Sequence, residues 1–445
     1  MERSARLIWN GKVKKPSLEN ERVAREYSKI YPNPIMSNSL FTTATSVCCN
    51  PVGRMVKGDN LELLLSLNKT KQKIDLIYID PPFLSEKNYS SRVTVSKATE
   101  PGLLKRDVFK DRWGKGIESY LDMLYPRLKI MKSLLAESGS IFIHLDWHVS
   151  HYVKVLCDEI FCPENFINEI VWCYGGGGST KRYFRRKHDI ILWYAKTDQY
   201  IFNSQYQPYS PGTIQRGLTR VKGPKYQLNK KGAIMQDWWI DINKILSPTA
   251  HENLKYPTQK PLALLRRIIA TASKPDSLVA DFFAGSGTVG QVCEELNRNW
   301  LLCDNNSIAI QTSIYRLLKN QSRPFWLEVP KNLPGEGRLV IKKPKVQKTS
   351  QEYNLVNLGI EYFSPKYGKD LNTGKFSSYI SFWEIDWDYN EQQFNSCLQI
   401  IRQQMKYDDN LPTEVLVPVP ARPNYHMAIR VHDIWGDIVL ESISF

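Results

Sequence analysis

Asp80, Pro81, Pro82 and Phe83 follow one another at the end of the apolar, isoleucine-rich run 73–80 (KIDLIYID). Such a run, closed by two prolines, predicts a buried strand of a parallel sheet that the chain must leave at Pro81. The carboxyl ends of such strands are where open α/β sheets bind their ligands. An acid, a stiffened carbonyl and an aromatic ring at that point suit one kind of chemistry. The exocyclic amine of a nucleobase is a weak nucleophile, because its lone pair is delocalised into the ring. It needs two acceptors drawing on its hydrogens as the nitrogen turns tetrahedral. The Asp80 carboxylate and a carbonyl near Pro81 could supply both, oriented in advance. Phe83 could stack on a base turned out of its helix.

A second group lies two hundred residues on. Asp281-Phe282-Phe283-Ala284-Gly285-Ser286-Gly287-Thr288 follows the apolar residues 278–280 and precedes a helical pattern. Its glycines allow a ligand to approach the backbone closely. Asp304 ends the next strand, about where an acid accepts the ribose hydroxyls of an adenosine cofactor. The dinucleotide spacing Gly-x-Gly-x-x-Gly is missing, and Asp281 would repel a pyrophosphate. A cofactor carrying an amino group and a sulfonium is therefore expected in preference to NAD.

These groups need a scaffold. Residues 140–145, 167–172, 189–194, 279–283 and 300–304 read as further strands, and 120–135, 289–296 and a stretch opened by Pro261 as helices. Strands alternating with helices predict a Rossmann-like α/β sheet with helices on both faces. The expected organisation is an N-terminal extension over 1–50 that wraps on the surface, a main domain over 51–328, a linker over 329–350 and a small α+β domain over 351–445. Residues 197–255, polar, aromatic and basic without clear period, read as a target-recognition insert within the main domain. In the last segment, 394–405 reads as helical.

Sixty Lys and Arg against forty-five Asp and Glu give a net charge of +15, which favours a polyanionic partner. No apolar run is long enough for a membrane span, and Met1-Glu2-Arg3-Ser4 opens no signal core. Eight cysteines, mostly in apolar stretches, read as reduced core residues, and a cytoplasmic location is expected. Cys157 with Cys162, and His144, His148 and His151, lack the two-plus-two spacing of a zinc site, so no metal is expected.

Taken together, Asp80-Pro81-Pro82-Phe83, then Tyr256-Pro257-Thr258-Gln259-Lys260-Pro261, then the Asp281–Thr288 glycine loop resemble the amino-methyltransferases of DNA in their β-type motif order. Gly58-Asp59-Asn60-Leu61-Glu62 and residues 138–146 (SGSIFIHLD) are similar to that family as well, above all to the modification subunits of type III restriction systems and their stand-alone relatives. The resemblance spans roughly residues 53–320. It implies S-adenosylmethionine as cofactor, with Asp281, Phe283, Gly285, Gly287 and Thr288 around its methionine part and Asp304 at the ribose. It also implies Thr258 and Lys260 beside the methionine carboxylate, and Asp59 and Asn60 near the adenine. Asp at position 80 goes mainly with adenine N6 targets in the family, whereas Ser marks cytosine N4 enzymes. Site-specific methylation of adenine N6 in DNA is therefore expected. Cytosine N4 methylation, or an inactive DNA-binding subunit, stand as the alternatives. A second copy of the chain or a restriction subunit are the implied further partners.

Phe83 replaces the family's commoner Tyr, and both stack. The nucleophilic Pro-Cys of C5-cytosine enzymes is missing, since Cys162-Pro163 runs in the opposite order. Glu384 and Asp386 have no Glu-x-Lys partner, so no nuclease is expected. Lys181, Arg182, Arg185, Arg186 and Lys187, mixed with Tyr183 and Phe184 beside a four-glycine run, are candidate contacts to double-stranded DNA, as are Lys105 and Arg106 in the basic stretch 85–115. Trp238 and Trp239 read as core in preference to stacking platforms.

Overall fold

The computed structural model describes residues 5–10, 12, 24–35, 50–96, 101–178, 180–217, 228–247, 250–331, 337–367, 375–402 and 411–445. Its spine is an eleven-stranded sheet. In spatial order the strands are Trp238–Trp239, Phe166–Cys173, His188–Ala195, Leu135–Leu145, Ile74–Ile79, Leu278–Asp281, Asn299–Asp304, Gly53–Lys57, Phe325–Pro330, Arg25–Ile30 and Phe394–Ser396. From Leu135–Leu145 to Phe325–Pro330 all neighbours are parallel. His188–Ala195 and Phe166–Cys173 are added antiparallel.

The parallel strands alternate their side chains between two apolar layers, as a period of two requires. Met55, Leu76, Tyr78, Phe142 and Leu302 face one layer, covered by the helices Leu262–Ala272, Thr288–Glu295 and Ser307–Lys319. Val56, Ile77, Ile79, Ile141 and Ile143 face the other, under Asn60–Thr70, Ile117–Leu134 and Ser150–Phe161. Helices therefore cover both faces, as expected of a Rossmann-like sheet. Within Leu262–Ala272, Leu264, Leu265, Ile268, Ile269 and Ala272 are buried along one stripe. Truncating one of those leucines or isoleucines to Ala costs about 2–5 kcal/mol. Among the described residues no helix is long and apolar enough to cross a membrane.

The ends of the chain depart from the sequence reading. Arg25–Ile30, inside the expected surface extension, pairs with Phe325–Pro330 and Phe394–Ser396 and so joins the central sheet. Part of the expected linker is strand: Arg338–Ile341 and Lys345–Lys348 both pair with Tyr353–Ser364. Residues 332–336 lie outside the described residues. Within 351–445 the described elements are strands and one short 3-10 turn, so the described part of this segment is β rather than the expected α+β. The stretch expected as a helix from 394 forms Phe394–Ser396 and Leu398–Ile401, the latter antiparallel to Ile380–Asp386; 403–405 lie outside the described residues. Its apolar run is short enough to fit either period, and the open edge of Ile380–Asp386 decided it.

Candidate active site

Three parallel neighbours each end in an acid at the same edge of the sheet. Asp80 follows Ile74–Ile79, Asp281 ends Leu278–Asp281 opposite Tyr78, and Asp304 ends Asn299–Asp304. All three line one cavity with Pro81, Pro82, Phe83, Thr258, Lys260, Phe283, Gly285 and Thr288. Two stretches two hundred residues apart thus meet across adjacent strand ends. Tyr256, Tyr89, Phe109 and Asp111 also line it and were given no role from the sequence. Tyr256 stands inside the 256–261 motif; the other three have no local signal.

The glycine loop has its shape for steric reasons. Gly285 and Gly287 hold positive φ angles of 53° and 73°. A Cβ on Gly285 would lie 3.3 Å from the Tyr256 ring, and one on Gly287 would meet Ser313 Oγ at 2.6 Å. Gly287 thus packs behind the loop against the helix Ser307–Lys319, whereas Gly285 faces the cavity. Asp304 fastens the bend, its carboxylate accepting from the amides of Gly285 (2.9 Å) and Asn306 (2.8 Å). Asp281 accepts from the amide of Phe283 at 2.9 Å. Burial raises the carboxyl pKa of Asp281 well above the usual range, and Asp80 and Asp304 add to the shift. Burial also raises that of Asp304, against the pull of its backbone amides.

At the Asp80–Phe83 loop, Lys260 Nζ donates to Asp80 Oδ2 and sits 5.2 Å from the centre of the Phe83 ring. Among the described residues Asp80 Oδ1 is buried without a hydrogen-bond partner. Asp59 and Asn60 lie outside the cavity lining. Asp59 caps the helix Asn60–Thr70, accepting from the Leu61 amide at 2.8 Å and from Arg127 at 2.7 Å. Asn60 donates to the Phe282 carbonyl at 2.7 Å, so it ties that helix to the back of the glycine loop.

A second cavity adjoins the first and shares Phe83, Tyr89, Thr258, Gln259 and Lys260 with it. Its other walls include Trp147, Trp172, Tyr174, Arg186, Asp189 and Lys244. Asp189 is buried, accepts from Tyr174 at 2.8 Å, and lies 3.2 Å from His144 Nε2. Its carboxyl pKa is lowered despite burial, because His144, Lys244 and Lys260 favour the charge.

A family model described as a DNA methylase matches residues 74–314, the span that carries both cavities. The chain belongs to the DNA methylase family. It is similar to the type II methyltransferase M.EcaI of Enterobacter cloacae, with 25% identity over 58% of this chain and 68% of that one. Similar too is the StyLTI Mod subunit, a type III restriction-modification protein of Salmonella typhimurium, with 26% identity over 57% of this chain. The chain spans about half (53%) of that relative's length. The DNA adenine methyltransferase YhdJ of Escherichia coli is 28% identical over 60% of this chain and 83% of its own length.

S-adenosylmethionine is the methyl donor of this methylase family. The first cavity fits it chemically. Asp281 and Asp304 offer carboxylate acceptors for its ammonium and ribose hydroxyls, an oxygen of Asp80 with no hydrogen-bond partner among the described residues stands at the wall, and Gly285 leaves room that a side chain would take.

The expected DNA contacts divide. Lys181, Arg182, Arg185 and Arg186 are exposed and Lys187 is half-buried. Arg185 and Lys187 donate to the carbonyls of Gly178 and Gly176, which curls this loop. Arg186 lies 3.8 Å over the Trp147 ring, at the rim of the second cavity. Lys105 is exposed, but Arg106 is 6% exposed and bonds Ser91 Oγ and the Ile434 carbonyl. Arg106 is therefore too buried for the expected DNA contact, because its strand turns alternate residues inward. Trp239 is buried, as expected, whereas Trp238 is 50% exposed. Glu384 is remote from both cavities and buried against Arg430 and His432.

Proposed function

We propose that this chain transfers the methyl group of S-adenosylmethionine to adenine N6 in double-stranded DNA, at a base turned out of the helix. The observation that carries the reading is the shared wall of the two cavities. The acidic, glycine-walled cavity and the aromatic one meet at Phe83 and Lys260, beside the unpartnered oxygen of Asp80. Asp at position 80, and the similarity to a relative named as an adenine methyltransferase, favour adenine over cytosine.

In this reading Asp59, Asn60 and the 281–288 loop shape or support the cofactor site, with Thr258, Lys260 and Asp304 at its rim. The bound cofactor supplies an electrophilic methyl group. The base enters the aromatic cavity and stacks on Phe83, which offsets part of the cost of unstacking. Asp80 Oδ1 accepts one hydrogen of the amine, and a carbonyl of the proline pair accepts the other. Both acceptors are fixed before charge develops, so they stabilise the positive nitrogen without reorganising. With the cofactor bound, the N–C bond would form as the S–CH3 bond breaks, the thioether S-adenosylhomocysteine being the leaving group, and the proton lost from nitrogen would pass toward the Asp80 carboxylate. Lys260 balances the charge of Asp80 in the resting site. Lys181, Arg182, Arg185, Arg186, Lys187 and Lys105 contact phosphates, and the further partner is a restriction subunit or a second copy of the chain.

The test is nucleoside mass spectrometry on DNA incubated with the purified chain and labelled S-adenosylmethionine. N6-methyladenine is expected. N4-methylcytosine overturns the choice of base, and cofactor binding without any labelled nucleoside overturns the activity.

A further inference from the structure

Two prolines leave the catalytic loop without amide donors at 81 and 82, so its shape is set by the next three amides. All three donate to one carboxylate, that of Asp111. Phe83 N reaches Oδ2 at 3.1 Å, Leu84 N reaches Oδ1 at 3.0 Å, and Ser85 N reaches Oδ2 at 2.8 Å. Ser85 Oγ adds a bond of 2.7 Å, and the Trp113 indole N–H one of 2.9 Å. Asp111 is 1% exposed. A carboxylate offers about four lone-pair sites, so one receiving five donors has no capacity left for a ligand.

The clamp holds a backbone that would not hold itself. Leu84 and Glu86 have φ angles of 59° and 55°, a region costly for residues with a Cβ. Asp111 ends the strand Pro101–Asp111, which pairs with Lys87–Ser96 so that Asp111 stands opposite Lys87. The hairpin that leaves the catalytic loop therefore returns to fasten it. The hairpin is itself held elsewhere: Arg106 bonds the Ile434 carbonyl, Asn306 bonds the Val108 carbonyl, and Val93 packs into the C-terminal β core.

We propose that Asp111 is a positioning residue for transfer, fixing the Pro82–Phe83 backbone against Asp80 without touching cofactor or base. The proposal rests on the methyltransferase reading above. Its test compares Asp111→Asn with the wild type in tritiated methyl transfer to unmethylated plasmid DNA, with calorimetric binding of S-adenosylmethionine and a thermal midpoint alongside. Asn keeps the size but presents an amide donor to amides that need an acceptor. The expected result is a kcat lower by roughly 10- to 100-fold, the loss typical of a small misplacement of reacting groups, with cofactor Kd within about threefold. A kcat within about twofold of wild type, or a loss of kcat matched by equal losses in binding and midpoint, overturns the proposal. Should Asp111→Asn fail to fold, Ser85→Ala decides, with Tyr89→Phe as its control, since it removes the Ser85 Oγ bonds to Asp111 and Tyr89 and leaves the three backbone amides in place. A reduced kcat at unchanged Kd is then expected, and an unchanged kcat overturns the role. Wild-type protein that transfers no methyl group removes the proposed function and this role with it, whereas an active wild type beside an unaffected Asp111→Asn removes the role alone.

Discussion

Lys260 Nζ bonds one oxygen of the Asp80 carboxylate, and the other is buried with no partner among the described residues. These residues are 180 positions apart and meet because the strand before Asp80 and the loop before the helix Leu262–Ala272 end at the same edge of the sheet. A buried acceptor left open is costly unless something is meant to donate to it. In the proposed function that donor is the target amine.

Asp80→Ala removes this acceptor and should lower kcat by at least about 10²-fold, the usual cost of deleting a preorganised partner of transition-state charge. Binding of S-adenosylmethionine, measured by calorimetry, should remain close to wild type. Full transfer activity in this variant would end the assignment.

Gly285→Val should act in the opposite way. The residue has φ 53°, and its Cβ would press on Tyr256 at 3.3 Å, so the substitution strains the backbone by roughly 1–3 kcal/mol and narrows the cavity. Loss of cofactor binding, with DNA binding retained in a gel-shift assay, is the expected pair of outcomes.

Lys181→Ala with Arg182→Ala should weaken DNA binding evenly across sequences. The slope of log K against log salt should become shallower by roughly 0.9 for each phosphate that is no longer neutralised. Arg106→Ala should leave that slope unchanged. It strips partners from Ser91 and the Ile434 carbonyl, so it should lower the denaturation free energy by about 1–3 kcal/mol instead.

Asp433 carries a pH prediction. Burial, and then the neighbouring Asp437, push its carboxyl up to about 7 from 3.8, against hydrogen bonds from the amides of Asp437, Trp435 and Gly436. The folded chain therefore keeps a proton that the unfolded chain releases between about pH 4 and pH 7. This contribution to stability is fully present below the lower value and lost as pH rises through the upper one, by on the order of 1 kcal/mol per pH unit across the window. Thermal midpoints measured against pH should decline over that range in the wild type and flatten in Asp433→Asn. Parallel curves would show that Asp433 does not set the slope.

Much of the scaffold was legible because burial writes itself into composition. Of the parallel strands, Ile74–Ile79, Leu278–Asp281 and Asn299–Asp304 are apolar runs whose ends lie within two residues of those expected, whereas Gly53–Lys57 and Phe325–Pro330 were not expected as strands. Leu135–Leu145 begins five residues before the expected strand. The C-terminal segment was less legible. Its strands pair with partners far along the chain, and a run such as 394–401 has no local feature that separates one period from the other. The N-terminal strand Arg25–Ile30 was hidden for the same reason: it is polar on one side and becomes a strand only because Phe325–Pro330 offers it an edge.

By itself the sequence determined the motifs: the acid before two prolines, the glycine bend, and an Asp at the end of the following strand. These are local, since the backbone conformation and side-chain type each needs are written in consecutive residues. Only the tertiary structure decided which residues support them. Tyr256 against Gly285, Lys260 on Asp80 and Asp111 beneath the catalytic loop depend on strand order and on a hairpin's return, and Arg106 left the expected DNA surface because its strand faces inward. Contacts between distant segments follow from how the chain closes, and no neighbouring residue records them.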